Sequence, residues 1–574
     1  MIKKKQFKTY YEVFKILDQK HKFQIVSVFF FLIFLSFVEL ISIDSIIPFV
    51  IAIQDPNLVL NSIYYKEYIL VYNLNEENLE TYLFALFICL VFFSLLLKII
   101  FLRINCNLSY DIIRLTSELI LDEVLSKNFI EFNNFNSKDI ITSVVLRAQS
   151  VGETFFHLIS SAGSLVIIIF LIISCFFFIG NEIIFLFISL FLIYLFWWKI
   201  IKSKIQKYGL MFSKNYEKMI KNTSEIMNMF PEIKLYNIKN FFLNDFKKNN
   251  YDLRKSQGMN TFVSGYPAVV IQSLIITGLI IMIFLWNKYG SLNSQIPILT
   301  FLILNLQRII PNFQNIFKNH SAITYMSENF NKTISLILKK DKKKIIHQES
   351  NEFKKFNEIT LNNVSYKNLK NTNNFLLEGV NLKIKRGDKI AIMGPSGSGK
   401  TTLINLIMGF ISDYSGEILI NKRNLRSNLT PWHNAIAYVP QKIFMLQKDI
   451  YTNISLQNKI SEKNKKNIDK MLDEINLKSE LMTKTGLRNP GEEGKSFSGG
   501  QLQRLAIGRS LYQKREFLIL DETLNALDRV NSLKIIEDLK KNKDLTIILI
   551  SHNEEIALKM DRIIKIKNKN IDES

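Results

Sequence analysis

Two fold classes in series are predicted for this chain: an α-helical transmembrane domain of six spans with long helical extensions, then an α/β domain. Three observations predict this. Apolar runs of spanning length crowd the N-terminal half, a glycine-rich loop near residue 394 sits between a strand-like and a helix-like run, and later strand-like runs end in an acid pair and in a histidine.

The chain has 574 residues, 48% of them hydrophobic and 45 of them Phe, and such a length implies several domains. Apolar residues cluster at 23–53, 81–103, 155–179, 183–201, 265–286 and 296–316, each near or beyond the ~20 residues needed to span hydrocarbon. The first run is too long for a signal peptide and no small-residue cleavage site follows it. Basic residues set the orientation. Lys3, Lys4, Lys5 and Lys8 precede the first span, and Lys199, Lys202, Lys204, Lys207, Lys214, Lys218 and Lys221 follow the fourth. Between the first two spans lie Asp55, Glu67, Glu76, Glu77 and Glu80 against Lys66. An even number of spans then leaves both termini in the cytoplasm of a multi-pass protein of the inner (plasma) membrane.

The stretches 104–153 and 202–262 are too long for structureless loops and read as helical. The transmembrane domain is placed at residues 1–340, a linker at 341–356 and the α/β domain at 357–574. The basic run Lys339-Lys340-Asp341-Lys342-Lys343-Lys344 reads as solvated connector at that boundary. A net charge of +22 would point to nucleic acid in a soluble protein. Here it fits loops beside anionic headgroups, so membrane lipids are expected partners and nucleic acid is not. Cys89, Cys106 and Cys175 lack metal-ligand spacing and read as packing residues.

In the C-terminal part, Ile390–Met393 reads as a buried strand. Gly394-Pro395-Ser396-Gly397-Ser398-Gly399-Lys400-Thr401 matches GxxxxGK[ST], and Thr402 opens the following helix. Glycines let backbone N–H groups wrap phosphates at a helix N-terminus, Lys reaches the outer phosphates and the Thr hydroxyl holds Mg²⁺. Phe517–Leu520 is a second strand-like run, and it delivers Asp521-Glu522 to the edge where parallel sheets bind ligands. Asp521 can orient Mg²⁺ there, and Glu522 can polarise water. Leu545–Ser551 brings His552 to the same edge.

Phe497-Ser498-Gly499-Gly500-Gln501-Leu502-Gln503-Arg504 resembles the LSGGQ signature of ATP-binding cassette (ABC) transporters, with Phe in place of the leading Leu. Tyr438-Val439-Pro440-Gln441 resembles the Q-loop, Leu524-Asn525-Ala526-Leu527-Asp528 the D-loop and Ile550-Ser551-His552 the H-loop, in the family's order. The resemblance implies a P-loop ATPase domain with a helical signature subdomain, using ATP with Mg²⁺ held by Thr401, Gln441 and Asp521. It also implies a composite site in which the signature of one chain, through Ser498, Gly499, Gly500 and Gln501, closes on ATP held by the loop of another. Glu522 becomes the general base, His552 holds the γ-phosphate, and Gln441 binds Mg²⁺ or the lytic water. One set of motifs cannot build both sites, so a second copy or a related half-transporter is expected. The retained Glu522 argues for a homodimer.

Two departures from the family pattern stand out. Asn368 falls where the adenine-stacking aromatic usually sits, which leaves Tyr366 as the nearest platform. Arg488–Gly494 resembles the exporters' TEVGERG loop, with Asn489 at its first Glu. The fusion of membrane and ATPase domains favours export over import, and coupling helices are expected near Phe129–Phe132 and Pro231–Tyr236. No peptidase domain precedes the first span, so a leader-cleaving exporter is not expected.

Ionisable residues inside spans are unfavourable unless they serve a function. Glu39 and Asp44 lie in the first span, Lys98 and Arg103 near the cytoplasmic end of the second, and Arg308 in the sixth. Snorkelling is the simpler account of Lys98 and Arg103, and pairing within the bundle that of the acids. Arg308, Lys98 and Arg103 are the substrate candidates. Glu39–Phe49 with Asp55-Pro56-Asn57, Glu232–Leu235 and Arg308–Pro311 are similar to segments of PglK-like lipid-linked oligosaccharide flippases. That resemblance implies movement of a polyprenyl-pyrophosphate-linked glycan to the outer leaflet. An exporter of peptide, drug or other lipid is the alternative, followed by an ABC-type regulator or channel.

Overall fold

The computed structural model describes residues 11–15, 17–54, 56–60, 76–179, 182–288, 296–338, 355–367, 375–483, 486–487, 489–491, 494–524 and 527–573. Outside the described residues lie Lys3, Lys4, Lys5, Lys8, Asp55, Lys66, Glu67, the run Lys339–Lys344, Asn368, Arg488, Glu492, Glu493, Asn525 and Ala526. The chain divides into two compact units, residues 1–127 with 131–341, and residues 128–130 with 342–574.

The first unit is helical. Its elements are α1 (Gln19–Asp44), α2 (Ile46–Gln54), α3 (Pro56–Leu60), α4 (Glu76–Leu125), α5 (Phe129–Asn134), whose first two residues are grouped with the second unit, α6 (Ser137–Thr142), α7 (Ala148–Ile179), α8 (Glu182–Asn228), α9 (Phe230–Leu235), α10 (Lys239–Lys288) and α11 (Ile296–Leu338). A π-helical turn, Ser143–Arg147, joins α6 to α7. Helices α4 and α8 run without a break from an apolar stretch into a polar one, and α10 from a polar stretch into an apolar one, as the long segments after the second and fourth spans require. At the two places marked for coupling helices, α5 and α9 interrupt the long helices. Pro231 sits in the first turn of α9, where its missing N–H leaves no bond unmade.

Among the described residues, four segments are long and apolar enough to cross a membrane: Gln19–Ile53, Asn78–Leu125, Lys138–Phe177 and Lys239–Gly278. They contain most of the first, second, third and fifth predicted spans. The fourth falls on α8, where many side chains at 182–191 lie outside the description. The sixth falls on α11, whose apolar stretch is interrupted by Asn305, Gln307, Arg308, Asn312 and Gln314. These interruptions mark a helix with a polar face turned to the bundle rather than a uniformly apolar span. Leu35, Val38, Leu97, Ile167, Leu171, Phe301, Leu306 and Ile309 form a buried cluster that ties α1, α4, α7 and α11 together.

The second unit is α/β. Its elements are β1 (Glu358–Lys367), β2 (Phe375–Lys385), β3 (Lys389–Met393), α12 (Lys400–Ile407), β4 (Ser415–Ile420), β5 (Arg423–Asn424), α13 (Leu429–Ala435), β6 (Ile436–Val439), α14 (Ile450–Ser455), α15 (Glu462–Glu474), α16 (Lys478–Leu481), β7 (Met482–Thr483), β8 (Gly486–Leu487), α17 (Gly499–Tyr512), β9 (Phe517–Asp521), α18 (Arg529–Lys541), β10 (Thr546–Ile550), α19 (Glu554–Ala557), β11 (Arg562–Lys567) and β12 (Asn570–Glu573). The main sheet has the order β12-β11-β3-β10-β9-β6, with β11, β3, β10, β9 and β6 parallel. Every residue of β9 and β10 is buried, which is why both read as continuous apolar runs. An antiparallel sheet β2-β1-β4-β5 accompanies it. A shared core forms around Trp432, Phe356 and Phe517, whose rings pack with centroids 5.2–5.4 Å apart. Helices α14 to α17 pack around Ile468, Leu472, Leu477, Leu505 and Ile507, and they form a helical subdomain that carries the signature at the start of α17.

Candidate nucleotide site and membrane cavity

Strand register places the site. Ile550 of β10 lies opposite Ile392 of β3 and Asp521 of β9, and Val439 of β6 lies opposite Leu520. The carboxyl ends of four adjacent parallel strands therefore open on one edge. The phosphate loop follows β3, Asp521-Glu522 ends β9, His552 follows β10 and Gln441 follows β6.

The loop has the backbone its glycines permit. Gly394, Gly397 and Gly399 have φ of +156°, +80° and +104°, values that disfavour any residue with a Cβ. Lys400 is buried, and its Nζ donates to Gly394 O and Pro395 O at 2.9 and 3.0 Å. The ammonium thus lies over the hollow the loop encloses. Ser398 Oγ is buried with no hydrogen-bond partner, an orphan that an oxygen-rich ligand would satisfy. Pro395, Ser396, Gly397 and Thr401 are exposed, and Thr402 is half-buried on α12.

Glu522 is the hub of the facing strand ends. Its backbone is held at φ +50° while its N–H donates to Ile550 O at 3.2 Å. Its two carboxylate oxygens have separate partners. Gln441 Nε2 donates to Oε2 at 2.7 Å, and His552 Nε2 lies 3.0 Å from Oε1. Asp521 is buried and accepts a hydrogen bond from Tyr438 OH at 3.1 Å. Burial raises the Asp521 pKa above the usual carboxylate range, although the Tyr438 bond opposes that. Tyr438 is a site residue to which sequence reasoning gave no role. Its signal was available, since alternation along β6 buries Ala437 and Val439 and leaves Tyr438 on the other face.

The signature begins α17. Ser498 is its N-cap, accepting from Gln501 N at 3.3 Å, and Gln501 Oε1 accepts from Ser498 N at 3.1 Å, a reciprocal capping box. Gly499 and Gly500 occupy the first turn, where amides have no intrahelical acceptor. Glu480 of α16 accepts from Gln501 Nε2 at 3.2 Å and from Arg504 Nη2 at 2.7 Å. Nothing in the sequence spacing marked Glu480. Tyr366 is half-buried on β1 against the sheet core. It pairs in register with Leu377, whose side chain closes on Gly399, so its strand borders the one that abuts the phosphate loop.

The first unit has a cavity of about 460 Å³ lined by Glu39, Lys98, Gln307, Arg308, Asn312 and Asn315 among others. Lys98 Nζ and Arg308 Nη1 both donate to Glu39 Oε1, at 2.6 and 2.8 Å. Lys98 is therefore drawn to an acid in the bundle rather than left to snorkel. Arg103 is exposed on α4 and is not among the residues lining this cavity. Asp44 accepts from Ser174 Oγ at 2.5 Å.

Residues 377–525 match the family model described as ABC transporter. Over nearly the whole chain the fold matches the structure of a bacterial Atm1-family ABC exporter with ATP bound, at a TM-score of 0.76 and 17% identity, covering 96% of this chain and 95% of that one. The chain has the fold of an ABC exporter, and residues 377–525 carry an ABC transporter domain. Among curated proteins, the nisin transport ATP-binding protein NisT of Lactococcus lactis subsp. lactis is 30% identical over 60% of this chain and 59% of its own. The lacticin-481/lactococcin-DR transport/processing ATP-binding protein of the same organism is 35% identical over 38% of this chain and 30% of its own. The ATP-dependent lipid A-core flippase of a Polaromonas species is 35% identical over 33% of each chain. This exporter-like chain thus spans between 30% and 59% of the length of these curated relatives.

Proposed function

We propose that two copies of this chain couple ATP hydrolysis to the movement of a polyprenyl-pyrophosphate-linked oligosaccharide from the inner to the outer leaflet. The supporting observation is that Arg308 and Lys98, from different helices, meet in one cavity of the membrane unit. A pyrophosphate cannot enter hydrocarbon unaided, and paired cations offset its desolvation.

At the cassette, Lys400 and the amides of the 394–401 loop bind the phosphates, and Tyr366 supports the adenine. Thr401, Asp521 and Gln441 offer the oxygen donors that suit Mg²⁺, which when bound neutralises charge on the phosphates. Glu522 takes the proton from the attacking water. Its carboxylate is oriented for this by Gln441 on one oxygen and His552 on the other. Ser498, Gly499 and Gly500 of one copy close on the nucleotide of the other, which makes hydrolysis depend on dimer closure. Helices α5 and α9 carry that closure to the membrane helices, and the cavity alternates between inward and outward access with both termini in the cytoplasm.

A second reading, export of a peptide, is favoured by the names of the nisin and lacticin relatives. It shares every cassette residue and differs in the occupant of the cavity. The two separate in proteoliposomes when ATP hydrolysis is measured with a polyprenyl-pyrophosphate oligosaccharide or with cationic peptides. The flippase reading expects stimulation by the first that is lost in Arg308→Gln. Stimulation by peptides alone would sink it.

A further inference from the structure

The same cavity contains a group that its proposed use as an anion site does not require. Glu39 is its one lining carboxylate among the described residues. It is 1% exposed, whereas the Lys98 and Arg308 side chains are 36% and 32% exposed. Both cations converge on one oxygen, Oε1, while Oε2 is buried without a partner. The trio carries a net positive charge, and the carboxylate meets two donors through half of its acceptor capacity. A buried ion pair is stable only while every charge stays matched. A phosphate group brings more charge and more acceptor oxygens than a single carboxylate oxygen, and it binds an arginine fork bidentately.

Resting on the proposed flippase reading, we propose that Glu39 is the resident counter-ion of this cavity. It holds Lys98 and Arg308 when substrate is absent and competes with a pyrophosphate headgroup for both. The carboxylate keeps two cations paired in a low-dielectric bundle between cycles. It also weakens substrate binding, and a transported ligand must bind weakly enough to leave. Glu39 is thus a residue that sets affinity, acting against the substrate rather than for it.

The test uses the full chain in lipid nanodiscs with farnesyl pyrophosphate as the probe. Glu39→Gln should bind it about tenfold tighter than the wild type, because both cations lose their competitor while the side-chain shape is kept. Arg308→Gln should bind it about tenfold weaker. Glu39→Asp retains the charge and should stay near wild type. Should Glu39→Gln prove impossible to purify, Lys98→Gln and the Lys98→Gln/Glu39→Gln pair give the same comparison. The single variant should bind about tenfold weaker than wild type, and the pair at least as tightly as wild type. Unchanged or weaker binding in Glu39→Gln, beside weakened binding in Arg308→Gln, would overturn the counter-ion role and leave the substrate reading standing. No binding to wild type or to Glu39→Gln would overturn both.

Discussion

Replacing Glu522 with glutamine removes a base and little else. The carboxylate accepts from Gln441 on one oxygen and lies beside His552 on the other. An amide keeps the size and one acceptor, and Gln441 can turn its own amide to present oxygen to the new NH₂. The backbone at φ +50° and the Glu522 N–H bond to Ile550 O are untouched. ATP affinity should therefore stay within about twofold of wild type, since the phosphates are held by the loop after β3 and its Lys400, which the substitution leaves in place. Proton abstraction disappears, and general base catalysis contributes roughly 10²–10⁴-fold. The expected fall in kcat is about 10²–10³-fold, or roughly 3–4 kcal/mol of transition-state stabilisation. Steady-state phosphate release by the purified chain, beside equilibrium binding of a fluorescent ATP analogue, reads both quantities. A variant with at least half the wild-type kcat would refute the assignment of Glu522 as base.

Two further expectations follow from the geometry. If the signature of one copy completes the phosphate loop of another, Lys400→Ala and Ser498→Arg should each abolish hydrolysis. Co-expressed, they should restore about a quarter of wild-type activity, because half the dimers then hold one intact site of two; no rescue would argue against a composite site. In the extension of α8, Glu217 accepts from Arg147 and Lys332. Burial would raise its pKa, yet those two bonds together hold it below the usual range. Such a depressed carboxylate stabilises the fold above its unfolded pKa, near ~4.3, and loses that contribution as pH falls through the folded value. Glu217→Gln should lower stability by about 1–3 kcal/mol near pH 7, reduced from a fully buried pair by its partial exposure. The gap to wild type should shrink in acid. Thermal unfolding in detergent at both pH values measures it, and an equal gap at both would contradict the pairing.

Much of the cassette was legible because its signals are local. The loop glycines report left-handed backbone, and each fully buried strand is an unbroken apolar run leading straight into its functional residue. The capping box at Ser498 and Gln501 is likewise written within four consecutive residues. The membrane cavity was legible only in part. Glu39, Lys98 and Arg308 each stand out as charges in apolar stretches, but their meeting on one oxygen depends on how α1, α4 and α11 pack. Arg103 looked equivalent to Lys98 by position, yet five residues along an α-helix turn it to a different face. The sixth span was harder to read from hydropathy than the others, since the polar residues on α11 that line the cavity also lower its apolar character. Glu480 acts through contacts that join α16 to α17, which no spacing within one segment reveals, and Tyr438, though set apart by the alternation along β6, meets Asp521 only through the pairing of β6 with β9.

The most direct measurement of the central claim is leaflet exchange. Purified chain would be reconstituted in liposomes carrying a fluorescent polyprenyl-pyrophosphate oligosaccharide, with glycan accessibility followed on each side after ATP is added and Glu522→Gln as the matched control. The account predicts ATP-dependent movement between leaflets that the control lacks. ATP hydrolysis at full rate with no change of leaflet would contradict it.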